Sequence, residues 1–273
     1  MQKFNPETFD ISQSFIKGFF MYVDEQICGK YFEAVYILKV NTEGSKVMDE
    51  GLYFEYIATG AISPYAYDNT PPPEKNTKPY RIAKEQKVNF DNAMKYYGFE
   101  VVEIGTRWVF DGMSGTLDVL ARANKDVYND EQELILSKGD EFIIDLKFTG
   151  LITNRFHDLG WDKETLPEKE RLIIQALHYK KLSIKATGKE LPFMFFLHSP
   201  TKAKEFVIYQ IDVSPERLDD YDDVIVGVRK QLVDVMSVGF KAYPSMERCL
   251  ECPVAKFCED YTNVPIIQKV EIY

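Results

Sequence analysis

Apolar residues recur along this chain in two rhythms, and the alternation between them sets out its elements. Phe15, Phe19, Tyr22 and Val23 fall three and four apart, which predicts a helix over residues 12–26 with Ser12 or Ser14 as its cap. The stretch 31–40, from Tyr31 to Val40, is apolar and fits either a strand or a helix. Val47, Leu52, Phe54, Ile57 and Ala58 restore the helical rhythm over 46–62. Gly51 sits inside that helix at some cost, so a close packing contact or a functional approach is expected there. Pro64 and the run Pro71-Pro72-Pro73 make 63–79 a loop or extended linker. A helix is predicted over 82–97, stopped by Gly98.

The rhythm then changes to strict alternation. Phe99–Phe110 reads as a strand, Asp111-Gly112 as a turn, and Met113–Ala123 as the next strand. Residues 124–140 are polar and acid-rich, long for a hairpin connection, and read as an extended hairpin or an insertion. A short apolar strand carries Asp145. The polar stretch 149–169 holds Asn154, Arg155, His157, Trp161 and Lys163 and is a candidate DNA-contacting flap. Residues 168–185 return to helix, and Phe193–His198 and 206–211 to strand. Ser214 and Pro215 are a helix start, and Gly239 ends that helix.

Composition narrows the class. At 273 residues the chain can bury a large core, and 45% of it is apolar. The formal charge of −10 argues against a protein that coats nucleic acid indiscriminately, but leaves room for acidic metal ligands beside a local basic groove. The apolar run near the N-terminus is short, is broken by Lys17 and has no small-residue cleavage site, so a cytoplasmic location and no membrane are expected. In that setting Cys28, Cys249, Cys252 and Cys258 read as metal ligands rather than disulfides. Gly188-Lys189 lacks the rest of a phosphate loop, so no ATP-driven engine is evident.

The chemistry concentrates between Ser114 and Lys147. Gly115-Thr116-Leu117-Asp118 ends one apolar run in a carboxylate, and Asp145 and Lys147 end another. Asp145 and Lys147 share a strand face, with Leu146 pointing away. Two carboxylates and an ammonium at a sheet edge can hold a divalent cation and a water over a phosphodiester. Asp-x-Lys alone is equally an amphipathic strand with solvated charges. Glu55 lies one helical turn after Gly51, and Tyr179 one turn after Gln175.

Taken in order, these residues resemble the RecB-like branch of the PD-(D/E)XK nucleases. They are more closely similar to its iron–sulfur members, such as the AddB nuclease domain and a CRISPR-associated exonuclease. Gly51 and Glu55 match a helix motif whose metal ligand is usually histidine. Gly115 to Asp118 match Gly-x-x-Asp, Asp145 and Lys147 match Asp/Glu-x-Lys, and Gln175 and Tyr179 match Gln-x-x-x-Tyr. Cys28 with Cys249, Cys252 and Cys258 matches one early cysteine followed by Cys-x-x-Cys-x5-Cys. Three departures stand out: Leu117 in place of the family's proline, Glu55 in place of histidine, and the long connection from Asp118 to Asp145.

The resemblance implies one α/β domain over residues 1–273. Its mixed central sheet is flanked by helices, a restriction-endonuclease-like core, with a four-cysteine cluster joining the N- and C-terminal segments. It implies Mg²⁺ or Mn²⁺ bound by Asp118, Asp145 and Glu55, and a water positioned by Lys147. Gln175 and Tyr179 support the site, and a [4Fe–4S] cluster is held by Cys28, Cys249, Cys252 and Cys258. The all-oxygen ligand set suits a hard cation. The implied activity is DNA hydrolysis, as an exonuclease on single strands or duplex ends in recombination, repair or processing. A helicase or recombination protein is a further candidate partner. Two other readings compete: a catalytically weak DNA-binding or assembly subunit, and a structural protein with Zn²⁺ at the cysteines.

Overall fold

Ser12 accepts the backbone N–H of Phe15 at 3.2 Å, and this bond caps the first helix as its sequence predicts. The computed structural model describes residues 4–40, 46–61, 75–149 and 167–262. Strand β1 (Ile11–Ser12) leads into α1 (Gln13–Val23). Helix α2 (Gly29–Phe32) runs on into a π-helical turn over Glu33–Ile37, so the ambiguous apolar stretch is helical. Two helices follow, α3 (Lys46–Thr59) and α4 (Lys78–Tyr97). Helix α4 begins earlier than its apolar rhythm predicts, because Pro79 is well placed in a first turn whose N–H groups lack helical partners anyway.

The strands are β2 (Phe99–Phe110), β3 (Met113–Ala123), β4 (Val127–Tyr128), β5 (Leu134–Leu136) and β6 (Glu141–Phe148). After them come α5 (Pro167–Thr187), β7 (Phe193–His198), β8 (Phe206–Gln210), α6 (Pro215–Val238) and α7 (Met246–Leu250). Asp111 and Gly112 both take positive φ, 47° and 72°, the backbone a two-residue hairpin turn needs. The loop expected over 63–79 lies outside the described residues except for its last part, as does the flap expected over 149–169.

Packing divides the chain into two compact units: Met1–Gly44 with Asp222–Tyr273, and Ser45–Tyr221. In the second unit the strands run β2-β3-β6-β7-β8, antiparallel except for the β6–β7 pair. Parallel neighbours need a long crossover, and α5 lies within this one. The sheet is therefore mixed and central, with helices packed on it. On one face Val119, Ala121, Phe142, Ile144, Leu146, Met194 and Phe196 form a core with Tyr53 and Phe54 of α3 and Phe90 and Met94 of α4. On the other, Tyr179 of α5 stacks on Phe193 with ring centroids 5.9 Å apart. The polar stretch 124–140 is an ordered hairpin of β4 and β5, fastened by buried Val127 and Leu136.

The first unit joins the two ends of the chain. Phe15, Phe19, Tyr22, Phe32 and Phe240 pack ring to ring. The Gly29 N–H donates to the Lys241 carbonyl at 3.0 Å, and a Cβ at Gly29 would lie 2.3 Å from that oxygen. Only glycine fits so close an approach of two backbones.

Candidate active site

The pairing of β3 with β6 begins at Val119 opposite Ile144, and one step further along the same register sets Asp118 opposite Asp145. Directly opposed residues of an antiparallel pair lie on one face. The Asp118 side chain takes up where the ladder ends: its Oδ2 accepts the Leu146 backbone N–H at 2.7 Å. Lys147, two residues after Asp145 on the same face, forms an ion pair with Asp145 Oδ2. Its ammonium also lies 5.6 Å from the centroid of the Phe195 ring.

Helix α5 covers this face. Gln175 donates its side-chain amide to Asp145 Oδ1. The Tyr179 hydroxyl donates to the Thr116 carbonyl at 2.7 Å. A Cβ at Gly115 would lie 2.6 Å from Tyr179 Cε1, so the glycine of the strand motif admits the tyrosine of the helix motif. Helix α3 brings Glu55 within electrostatic reach of Asp118, Lys147 and Tyr179. Of the two expectations for Gly51, close packing is not met: among the described residues nothing stands within 4 Å of an added Cβ.

The electrostatics follow from three carboxylates close together, Asp145 buried and Asp118 and Glu55 half-buried. Burial raises the Asp118 carboxyl well above its ordinary value, and the charges of Asp145 and Glu55 raise it further. Lys147 and the Leu146 N–H pull it back only in part. Burial works to lower Lys147, but Asp145, Asp118 and Glu55 outweigh it and keep the ammonium charged. Tyr179 is raised by burial and by the same carboxylates, so it stays a neutral donor.

The structure thus brings Asp118, Asp145, Lys147, Gln175 and Tyr179 together, with Glu55 in reach. Asp145 Oδ2 is buried without a hydrogen bond of good geometry, with the Lys147 ammonium as its ion partner. An under-coordinated buried carboxylate oxygen and an all-carboxylate donor set fit a hard cation in kind. As the side chains stand, no group of three or more His, Cys, Asp or Glu among the described residues is arranged to hold a metal ion.

Sequence reading passed over His178. It is fully buried on α5, with Nε2 2.9 Å from the Ser114 carbonyl and Nδ1 3.0 Å from the Tyr221 hydroxyl. Its one available signal was its spacing, three residues after Gln175 on the same buried helix face.

In the first unit, Cys28, Cys249, Cys252 and Cys258 all line one small pocket, and none is in a disulfide. Cys28 Sγ accepts the Tyr243 backbone N–H at 3.4 Å. Burial raises the Cys258 thiol, and the nearby Cys28 and Cys252 add to the rise.

No protein-family model matches the chain, and no curated protein matches it. Among solved structures, the crystal structure of the Eubacterium rectale protein called "Putative exonuclease" is similar over 99% of this chain and 94% of that one. Its TM-score is 0.55 and its identity 18%, a likeness of fold. A second structure, of SSO0001, spans 90% of this chain and 96% of its own at 12% identity, but its TM-score of 0.28 carries no argument. No helix among the described residues is long and apolar enough to cross a membrane.

Proposed function

We propose that this chain is a metal-dependent nuclease that hydrolyses DNA phosphodiester bonds, working from ends, and that it belongs to the RecB-like iron–sulfur branch. The observation that carries the reading is that Asp118 and Asp145 stand one step beyond the end of the β3–β6 ladder, close enough for their charges to interact, with Lys147 beside them and Glu55 in reach. The Eubacterium rectale protein's name agrees with it. Asp118, Asp145 and Glu55 would hold Mg²⁺ or Mn²⁺. A bound cation lowers the pKa of its water and neutralises charge on a phosphate.

The protein's own part is positional. Gln175 holds Asp145 by one oxygen and leaves the other for the cation. Lys147 is paired with Asp145 as the structure stands, and with a cation bound at Asp145 its ammonium would be free to meet a phosphate or an attacking water. Tyr179 steadies the strand that carries Asp118 through the Thr116 carbonyl. Burial of Asp145 keeps competing bulk water from that carboxylate. Cys28, Cys249, Cys252 and Cys258 would hold a [4Fe–4S] cluster that closes the first unit. Their shared pocket supports that assignment, and zinc is the alternative occupant.

The test is anaerobic purification followed by incubation with end-labelled and circular DNA, with and without Mg²⁺ or Mn²⁺. Metal-dependent loss of end-labelled strands, with circles spared, is expected. DNA binding without cleavage in any metal would replace this reading with that of an assembly subunit. A brown protein with stoichiometric iron is expected, and a colourless one with zinc would reassign the cysteines.

A further inference from the structure

Helix α5 holds both carboxylate-bearing strands, and it does so from one face. Gln175, His178 and Tyr179 stand at positions i, i+3 and i+4. Gln175 reaches Asp145 on β6, while His178 and Tyr179 reach the Ser114 and Thr116 carbonyls of β3. The pairing of β6 with β3 starts only at Val119, so the segment from Ser114 to Leu117 is paired by β2 on its other edge but not by β6. The hydrogen bonds from α5 act on that segment, just before Asp118.

We propose that His178 is a positioning residue: its Nε2–H holds the Ser114 carbonyl and so sets the height of the strand that presents Asp118 to Asp145 and Leu146. The inference rests on the nuclease reading for its consequence in catalysis, but not for its geometry. A carbonyl oxygen can only accept, so the proton must sit on Nε2. In the neutral ring Nδ1 then accepts from the Tyr221 hydroxyl. Tyr221 is 2% exposed, and burial raises its phenol far above the ordinary range, so it remains a donor. The Tyr221–His178–Ser114 chain therefore permits one tautomer. A second tautomer would turn a ring lone pair toward the carbonyl oxygen and push the strand away.

Two substitutions separate positioning from bulk packing. In His178→Gln the amide nitrogen reaches about where Nε2 stood, and in His178→Asn only the Nδ1 position is imitated. His178→Gln is expected to keep cleavage within about threefold. His178→Asn is expected to lower kcat roughly tenfold or more with KM unchanged, the size of effect seen when a supporting hydrogen bond to a reacting group is lost. Without DNA or metal, the backbone amide shifts of Gly115 to Asp118 should stay in place in the Gln protein and move in the Asn protein. Tyr221→Phe keeps the ring that packs there and covers the case in which the Asn protein does not fold. Its histidine ¹⁵N spectrum should move from the pure Nε2–H form to a mixture of tautomers. Gln and Asn proteins that leave the Gly115 to Asp118 amide shifts alike and lose activity only in step with melting temperature would overturn the proposal. So would an Nδ1–H tautomer in the wild type. If the wild type cleaves nothing, the nuclease reading fails, while the amide shifts and the tautomer still decide the role of His178.

Discussion

The Asp118 carboxylate accepts the backbone N–H of Leu146 at 2.7 Å, so one strand's side chain takes a sheet hydrogen bond from the other just where their pairing ends. This bond ties the first carboxylate to the residue after the second. Burial of the Asp118 carboxyl, and then the charges of Asp145 and Glu55, raise its pKa against the lowering effect of this bond.

That rise gives a sign for stability against pH. A carboxyl whose folded pKa is raised favours the folded state while protonated, and this contribution is lost as pH climbs from the ordinary value of 3.8 through the raised one. Wild-type stability, measured by denaturant unfolding without metal, should decline across that window for this group. Asp118→Asn should flatten the decline and raise stability at neutral pH, while losing metal-dependent cleavage. A steeper decline in the variant would mean that Asp118 is not the group under strain.

Lys147→Met keeps the aliphatic stem over Phe195 but removes the charge that pairs with Asp145. Cleavage should disappear, and thermal unfolding should show a loss of about 1–3 kcal/mol, the cost of leaving a buried polar group without its partner. Saturating Mg²⁺ should return part of that stability if the cation takes the place of the ammonium. Full activity in this protein, with host nucleases excluded, removes Lys147 from the site.

Glu55→Gln tests the third carboxylate. Its charge reaches both Asp118 and Lys147, so its loss should raise the metal concentration needed for half-maximal cleavage. An unchanged metal titration returns Glu55 to an ordinary helix surface. Glu55→His should stay partly active and shift preference toward Mn²⁺, because imidazole is the softer ligand.

Gly115→Ala probes the seat of α5 on β3. The new methyl would stand 2.6 Å from Tyr179 Cε1, beside a ring that is itself stacked on Phe193. Overpacking of this kind costs about 1–3 kcal/mol, and cleavage should fall with it. Tyr179→Leu in the same chain should restore part of the stability but not the cleavage, because the bond to the Thr116 carbonyl is gone.

Cys28→Ser should lower the bound iron, bleach the visible absorbance and reduce the melting temperature. Closing a loop from Cys28 to the C-terminal cysteines is worth about 5 kcal/mol by analogy with a disulfide. A serine protein that keeps its iron and its melting temperature would leave the cluster to other ligands.

Much of this molecule was legible one residue after another. Ser12 as a cap, Gly98 at a helix end, Asp111-Gly112 as a turn and the alternation of Phe99–Phe110 and Met113–Ala123 all follow from backbone preference and side-chain period. So do the shared face of Asp145 and Lys147 and the one-turn spacing of Gln175 and Tyr179, because these are local distances along a strand and a helix. The tertiary structure alone decided which strands meet and in what register. No local period says that Asp118 faces Asp145, that β6 runs parallel to β7, or that the hairpin between β3 and β6 is fastened by Val127 and Leu136. It also decided that the chain's two ends pack as one unit, with four cysteines around one pocket. His178 shows the limit most sharply: on the helix it is one more buried side chain, and only docking against Ser114 and Tyr221 gives its two nitrogens separate partners. Local patterns report short-range sterics and burial, whereas register, pairing and tautomer depend on atoms far away in sequence that packing brings within hydrogen-bond distance.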